Sequence, residues 1–199
     1  MDKYIEVNRE LWNKKTPLHV ASKFYDVPAF KAGRSTLNPA ELEALGDVKG
    51  KSILHLQCHF GMDSLSWARM GAKVTGVDLS NLAIDEARKL TVELSLDAEF
   101  ICSNVYDLKD NLDKKVDIVF TSYGTIGWLP DLSRWAEIVS HFLKPGGTFF
   151  ISEFHPVRWM YDDDCVNIDY SYFNTGPIIE EVSASYADRD RAVNHLSYG

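Results

Sequence analysis

Ile53-Leu54-His55-Leu56-Gln57-Cys58-His59-Phe60-Gly61-Met62-Asp63, followed after one helix-length by Val74-Thr75-Gly76-Val77-Asp78, is the stretch that decides the reading of this chain. A short β-favouring run ends in a tight glycine-containing turn, a helical pattern opens at Asp63, and a second apolar run ends in an acid. In a parallel sheet this order sets a tight loop and a carboxylate at the ends of adjacent strands, beside the crevice where ligands bind. A carboxylate there can accept hydrogen bonds from two ribose hydroxyls. The helix that follows the loop offers unpaired N–H groups to an anion.

Outward from this stretch the alternation continues. Strands are expected at 52–56, 73–77, 99–102, 116–121 and 148–154. Helices are expected at 63–70, at 82–94 with Ser80 as N-cap and Ala83, Ala87, Leu90 and Leu94 on one face, and at 132–143. Asp131 caps the last of these, which buries Leu132, Trp135, Val139 and Phe142 and is stopped by Lys144-Pro145-Gly146-Gly147. The pattern is that of an α/β, Rossmann-like doubly wound, mostly parallel sheet. Residues 1–50 read as a helical cap, with Tyr4, Val7 and Leu11 at helical spacing and a short helix from Asn38-Pro39 to Leu45 ended by Gly46. Residues 51–155 form the core of the same single domain, and 156–199 a hairpin lid and truncated C-terminal part. In that last zone, 166–173 and 178–186 predict the two strands, joined by Asn174-Thr175-Gly176-Pro177. Asp188-Arg189-Asp190-Arg191 predicts a solvated turn beyond them.

The totals restrict the function. A chain of 199 residues, 45% hydrophobic and 25% charged, has the composition of one ordinary globular domain. A formal charge of −8 without any Lys/Arg block argues against a nucleic-acid partner. No apolar run approaches the roughly 20 residues that cross a bilayer, and Met1-Asp2-Lys3-Tyr4 lacks the apolar core of a secretory signal. Cys58, Cys102 and Cys165 are too few and too irregular for a disulfide framework, so a cytoplasmic protein without membrane contact is expected.

Two ligand classes suit a loop-and-acid crevice. A nicotinamide dinucleotide requires three glycines, because backbone must approach a bulky pyrophosphate. Gln57, His59 and Met62 stand where those glycines are wanted. S-adenosylmethionine presents only a small carboxylate, so one close approach, at Gly61, suffices.

The residues then resemble a family. Ile53 to Gly61 is similar to the first motif of class I S-adenosylmethionine-dependent methyltransferases, and Val74-Thr75-Gly76-Val77-Asp78-Leu79-Ser80 to the second, whose acid holds the ribose. Phe100-Ile101-Cys102-Ser103-Asn104-Val105 resembles the third, where a polar residue meets the adenine amino group and its neighbour packs on the ring. Val116-Asp117-Ile118-Val119-Phe120-Thr121-Ser122 is similar to the fourth, and Leu143-Lys144-Pro145-Gly146-Gly147 to the loop before strand five. The resemblance covers roughly 50–155, and its particular wording looks like a bacterial branch of the superfamily. It implies cofactor contacts at Gln57, His59, Gly61 and Asp63 on the loop, at Asp78 and Leu79, at Asn104 and Val105, and at Ser122. His55 departs from the family's acid, and Gln57 and His59 from its glycines. A protein that binds the cofactor without catalysis is therefore one alternative, and a dinucleotide-dependent oxidoreductase the other.

Methyl transfer depends mainly on in-line positioning. A general base is needed only where the acceptor must lose a proton, and His155 and Tyr123 are the candidates. Glu153 and His155 share a strand face without a third ligand, so no metal is expected. Cys58 reads as a small packed residue rather than a nucleophile, and Trp128 as a wall of the acceptor pocket. Trp12, Phe24, Tyr25, Trp159, Tyr170 and Tyr172 suit a cap over a small-molecule acceptor. The resemblance also carries a strand count. The class usually has seven strands and this sequence supplies five by Phe154, so strands six and seven are expected from a longer natural chain or from a partner segment. The alternative is that the 166–186 hairpin serves as those strands, paired onto strand five.

Overall fold

Five runs of Val, Ile, Leu and Phe too short for helices assemble into one parallel sheet, and the amphipathic segments between them cover its two faces. The computed structural model describes residues 3–162 and 164–199. Strands β1 (Ser52–Leu56), β2 (Lys73–Asp78), β3 (Ala98–Cys102), β4 (Val116–Ser122) and β5 (Leu143–Ser152) lie in the order β3-β2-β1-β4-β5. Strand order reverses between β1 and β4, so the ligand crevice of a doubly wound sheet opens above β1.

Helices α4 (Met62–Arg69) and α5 (Asn81–Leu94) pack on one face with α2 (Val27–Lys31) and α3 (Pro39–Leu45). Trp67 of α4 is fully buried there against Ile53, Ile118 and Phe120. Helix α6 (Leu132–Phe142) covers the opposite face, setting Trp135, Ile138, Val139 and Phe142 on Leu54, Val116 and Val119. Leu132, expected to be buried, is 47% exposed, because Asp131 caps the helix from the solvent side.

Helix α1 (Lys3–Ala21) is present, but its buried stripe is Ile5, Asn8, Leu11, Lys15 and His19 rather than Tyr4, Val7 and Leu11. The difference has a physical cause. The stripe does not face an apolar core along its length; it faces polar strand edges and the rim of the crevice, where Asn8 and His19 find hydrogen-bond partners.

Two expectations about strands are corrected. Strand β5 begins at Leu143, five residues earlier than expected. Leu143 already pairs with Val116, so Lys144-Pro145-Gly146-Gly147 is a bulge inside the strand, and pairing ends at Ser152. The hairpin is real, but its strands are β6 (Ile179–Ser185) and β7 (Asp188–Tyr198), antiparallel and joined by Tyr186-Ala187. The expected strand at 166–173 does not form; among the described residues the segment carries an isolated Tyr161–Ile168 bridge. The expected solvated turn at 188–191 instead opens β7. Its charges point alternately to the two faces of a two-stranded ribbon that is open to solvent there, which a charge run alone cannot distinguish from a turn.

The ribbon is a separate two-stranded sheet and does not pair onto β5, so the alternative in which the hairpin completes the main sheet is excluded. It lies instead along α1. Asn8 donates from Nδ2 to the Tyr198 carbonyl (2.8 Å) and accepts at Oδ1 from the Tyr198 N–H (3.0 Å), and the Tyr4 and Tyr198 rings meet edge-on at 4.5 Å.

Candidate functional site

The loop after β1 is built on left-handed backbone. Gln57 (φ 57°), His59 (φ 50°) and Gly61 (φ 79°) all take positive φ, so the chain reverses tightly before α4. For the first two, which are not glycine, this conformation costs roughly 1–2 kcal/mol each. The surroundings hold both in place. Gln57 donates from Nε2 to the Thr125 carbonyl at 2.9 Å, and His59 is fixed at both its backbone and its ring. Gly61 also serves the packing beneath the loop. A Cβ there would lie 2.6 Å from the Phe100 ring and 3.0 Å from Ala87 Cβ, so this glycine permits core packing beneath the loop.

Asp78 ends β2 beside this loop. Its Oδ2 accepts the His59 N–H at 2.7 Å and its Oδ1 the Ser80 N–H at 2.8 Å. Each oxygen keeps a lone pair. Burial lifts this carboxyl to about 6, and the backbone hydrogen bonds from Ser80 and His59 oppose the rise. On the same loop, Gln57 Oε1 and His59 Nδ1 are buried without a hydrogen-bond partner among the described residues. Orphaned polar atoms of this kind cost about 1–3 kcal/mol each and usually mark a ligand or water position.

Asp63 lies in the first turn of α4. Thr36 donates to its Oδ1 (2.5 Å) and Ser122, at the end of β4, to its Oδ2 (3.2 Å), while burial raises its carboxyl to about 6. His55, which stands where the family has an acid, does not face the crevice. It is buried against Phe120, its Nδ1 is 2.8 Å from Ser64 Oγ, and burial lowers its ring to about 3, so it is a neutral core residue.

A family model described as a methyltransferase domain matches residues 53–147, the segment from β1 to the bulge in β5. The ubiquinone biosynthesis O-methyltransferase of Alkalilimnicola ehrlichii is 29% identical over 136 residues, which are 66% of this chain and 55% of that protein. The chain thus spans little more than half the length of the curated relatives it matches. Among solved structures, the S-adenosylmethionine-dependent methyltransferase from Mesorhizobium loti is 27% identical with a TM-score of 0.52, covering 64% of this chain and 57% of that one. The DhpI-SAH complex shares the fold, with a TM-score of 0.58 at 23% identity over 77% of this chain and 70% of that one. Residues 53–147 thus match a methyltransferase domain, and the fold is that of S-adenosylmethionine-dependent methyltransferases of solved structure.

The other anticipated residues fall into place unevenly. Leu79 is partly buried against the main core, and Val105 is fully in it. Asn104 caps a short 3-10 turn, Val105–Asp110, by accepting the Tyr106 N–H at Oδ1 (3.2 Å). Tyr123 takes left-handed backbone (φ 57°) just after β4 and accepts a hydrogen bond from Asn38. Burial and the neighbouring Glu41 push its phenol up to about 12, so it is neutral and cannot be a base near pH 7. His155 is exposed and accepts the Val157 N–H at Nδ1 (3.2 Å), which commits that nitrogen to capping a local turn. Glu153 is a structural anchor. Its Oε1 accepts from Gly124 and Phe154 and its Oε2 from Thr125 and Ile126, all within 2.6–3.0 Å, which secures the loop after β4. Burial pushes the Cys58 thiol up, which leaves it a packed, un-ionised group. Of the expected cap aromatics, Trp12, Phe24 and Tyr25 gather together, Trp159 packs on Phe154, and Tyr170 turns away to Glu180. No helix among the described residues is long and apolar enough to cross a membrane.

Sequence reasoning missed a second cluster above the loop. Helix α1 directs Trp12, Lys15 and His19 toward it, and His19 Nδ1 is 2.8 Å from His59 Nε2. On its other side His19 Nε2 is 2.6 Å from Ser185 Oγ at the end of β6. The signal was available, because residues 12, 15 and 19 are spaced for one helical face. A lysine and a histidine on such a face ordinarily read as solvated.

Proposed function

We propose that this chain transfers a methyl group from S-adenosylmethionine to a small-molecule acceptor, with the cofactor seated between the 57–61 loop and Asp78. The observation that carries the reading is the juxtaposition of Asp78, both of whose oxygens are oriented by loop and helix amides, with the orphaned Gln57 Oε1 and His59 Nδ1. The residues present fit the cofactor. Asp78 holds two lone pairs toward a ribose diol, and Leu79 flanks it. Gln57 Oε1 is an acceptor for an ammonium group, and Asn104, with Val105 beneath it, borders the adenine end. Ser122 and Asp63 close the far side next to Tyr123.

When bound, S-adenosylmethionine supplies a methyl group already activated on a cationic sulfur, so the protein need provide little beyond geometry. The Gln57–Thr125 bond ties the cofactor loop to the loop after β4, and the Glu153 carboxylate fixes that second loop in turn. Together they hold Tyr123 and Trp128 at a set distance from the cofactor seat. Tyr123 acts as a neutral hydrogen-bonding group, and His155 holds its Nδ1 in a local cap. The division into a 1–50 cap, a 51–155 core and a 156–199 lid belongs to this reading, with α1 and the β6–β7 ribbon closing over the acceptor. The acidic balance supports a small molecule rather than a nucleic acid as acceptor. Calorimetric titration with S-adenosylhomocysteine and with NADH tests the function. Binding of the first but not the second is expected, and the reverse would replace it with the oxidoreductase alternative.

A further inference from the structure

Three side chains form an unbroken polar line from the C-terminal ribbon to the loop after β1. Ser185 Oγ, at the end of β6, lies 2.6 Å from His19 Nε2, and His19 Nδ1 lies 2.8 Å from His59 Nε2. His19 is fully buried and Ser185 is 2% exposed, so water does not compete for these bonds. Aromatic rings enclose both imidazoles: Tyr25 stacks on His19 (5.1 Å), and Trp12 and Phe60 meet His59 edge-on (5.3 and 4.6 Å). Burial lowers His19 to about 3 and holds His59 well below its ordinary value, and the nearby charge of Lys15 acts in the same sense. Each ring is therefore neutral near pH 7 and carries one proton.

A neutral imidazole donates at one nitrogen and accepts at the other, so the line can run in two directions. If Ser185 donates to His19 Nε2, then His19 donates from Nδ1 to His59 Nε2, and His59 carries its own proton on Nδ1. If the line is reversed, His19 donates to Ser185 and His59 Nδ1 is a bare lone pair. Ser185 decides between the two, because its Oγ already accepts the Ala187 N–H at 3.3 Å. In the first direction the hydroxyl accepts from Ala187 and donates to His19, and only the His59 Nδ1–H is left unpaired among the described residues. In the reverse direction His59 Nδ1 is still unpaired, and the Ser185 hydroxyl proton also lacks an acceptor among those residues. A buried donor without a partner is costly, so the first direction is the stable one.

We propose that Ser185 and His19 are positioning residues that fix His59 as its Nδ1–H tautomer, so that the ribbon and α1 set the hydrogen-bonding sense of the cofactor loop. This rests on the assignment of the 57–61 loop and Asp78 as the cofactor seat. The loop then presents two unpaired groups of opposite sense, the His59 Nδ1–H donor and the Gln57 Oε1 acceptor. Such a pair suits the carboxylate and the ammonium of an amino-acid group, which S-adenosylmethionine carries and a simple adenosine thioether lacks. With the reversed tautomer both groups would be acceptors, and a carboxylate would meet a lone pair. The identity of the tautomer is set by the bond at the far nitrogen, as for a histidine oriented by a carboxylate or carbonyl.

Long-range proton–nitrogen NMR of the whole chain, with nitrogen-labelled histidine, reads the tautomer directly, because a bare ring nitrogen resonates far from a protonated one. In the ligand-free wild type His59 should show a protonated Nδ1 and a bare Nε2. In Ser185→Ala, which deletes the hydroxyl proton, that tautomer should lose its dominance, and Ser185→Thr, which keeps the hydroxyl, should retain it. Calorimetry with S-adenosylhomocysteine and with methylthioadenosine, which lacks the amino-acid group, reads the consequence. Ser185→Ala should weaken S-adenosylhomocysteine by at least about fivefold and leave methylthioadenosine within about twofold of wild type. A bare His59 Nδ1 in the wild type overturns the proposal without any variant. So does a tautomer unchanged in Ser185→Ala, or an equal effect on the two ligands, which is what general damage to the fold would give. If the wild type binds S-adenosylhomocysteine while any of these results appears, the positioning role falls and the cofactor reading stands. If the wild type does not bind it, the cofactor reading falls and takes with it the role given to the tautomer.

Discussion

The backbone N–H of His59 donates to Asp78 Oδ2 at 2.7 Å, so the acid that ends one strand orients the loop that follows its neighbour. Asp78 therefore shapes the loop, and in the proposed function it also accepts the ribose hydroxyls. Asp78→Ala should weaken S-adenosylhomocysteine binding by roughly 1.5–3 kcal/mol, because charge-assisted acceptors are lost to ribose and loop together. Calorimetry that finds the variant as tight as wild type would remove Asp78 from the site.

The pH dependence of binding follows from the same carboxyl. Burial raises Asp78 and Asp63 to about 6 in the free protein, so both lose charge as pH falls through that value. Ligand hydrogen bonds to the ionised form of Asp78 favour that form. Affinity for S-adenosylhomocysteine should thus be level above about pH 7 and decline below about pH 6, at up to about tenfold per pH unit for one linked proton. Calorimetry in buffers of different ionisation heat should register proton release on binding near pH 6. A flat affinity between pH 5 and 7, on the order of one linked proton's range, would show that the carboxyl is not linked to the ligand.

Stability carries the opposite sign for these two groups. Their folded values lie above the unfolded one, so the native state binds more protons between about pH 4 and 6. Their contribution to stability should fall as pH rises through that window and stay constant above it. Urea unfolding of Asp63→Asn should show a smaller decline across that window than wild type, and an unchanged slope would place the titrating group elsewhere.

Gly61→Ala should destabilise the fold by roughly 2–4 kcal/mol, combining left-handed backbone strain with overpacking against a fixed ring. The added methyl would sit 2.6 Å from Phe100. Phe100→Leu in the same chain should restore part of the loss in urea unfolding. Independent, additive effects of the two changes would mean that the ring is not the obstacle.

Glu153→Ala should release the loop after β4. Removing the carboxylate leaves the N–H groups of Gly124, Thr125 and Ile126 without their acceptor, at roughly 1–3 kcal/mol each where they stay buried. Hydrogen exchange at these three amides should accelerate while that of the central strand β1 stays close to wild type. Uniform acceleration across the sheet would indicate global destabilisation instead.

The main sheet was legible because its signals are local. Parallel strands buried on both faces must be continuous apolar runs, and Ile53-Leu54, Val116 to Phe120 and the capping residues Ser80 and Asp131 declare themselves over a few residues. Asp78 and the 57–61 loop were legible for the same reason: strand end, turn and acid follow one another in the chain. The C-terminal ribbon was less so. Ile179 to Ser185 carried an apolar alternation, whereas Asp188-Arg189-Asp190-Arg191 has charges on a strand exposed to solvent, and only pairing with β6 makes it one.

Sequence alone determined the fold class, and the place of the glycine-containing loop beside the acid that ends β2, because hydrophobic period and turn chemistry act between neighbours. Tertiary structure decided which side chains meet across that crevice. His19, His59 and Ser185 come from 19, 59 and 185 positions along the chain, and their contact exists only because α1 is held against both the cofactor loop and the ribbon. The same docking buries Lys15 among Trp12, Trp128 and Tyr186. Packing of α4 and β4 on β1 made His55 a neutral core group, and the fold of the loop after β4 gave Glu153 four backbone donors to hold. Burial and long-range pairing set the charge state and the role of each of these residues, and both depend on partners that lie far away in sequence.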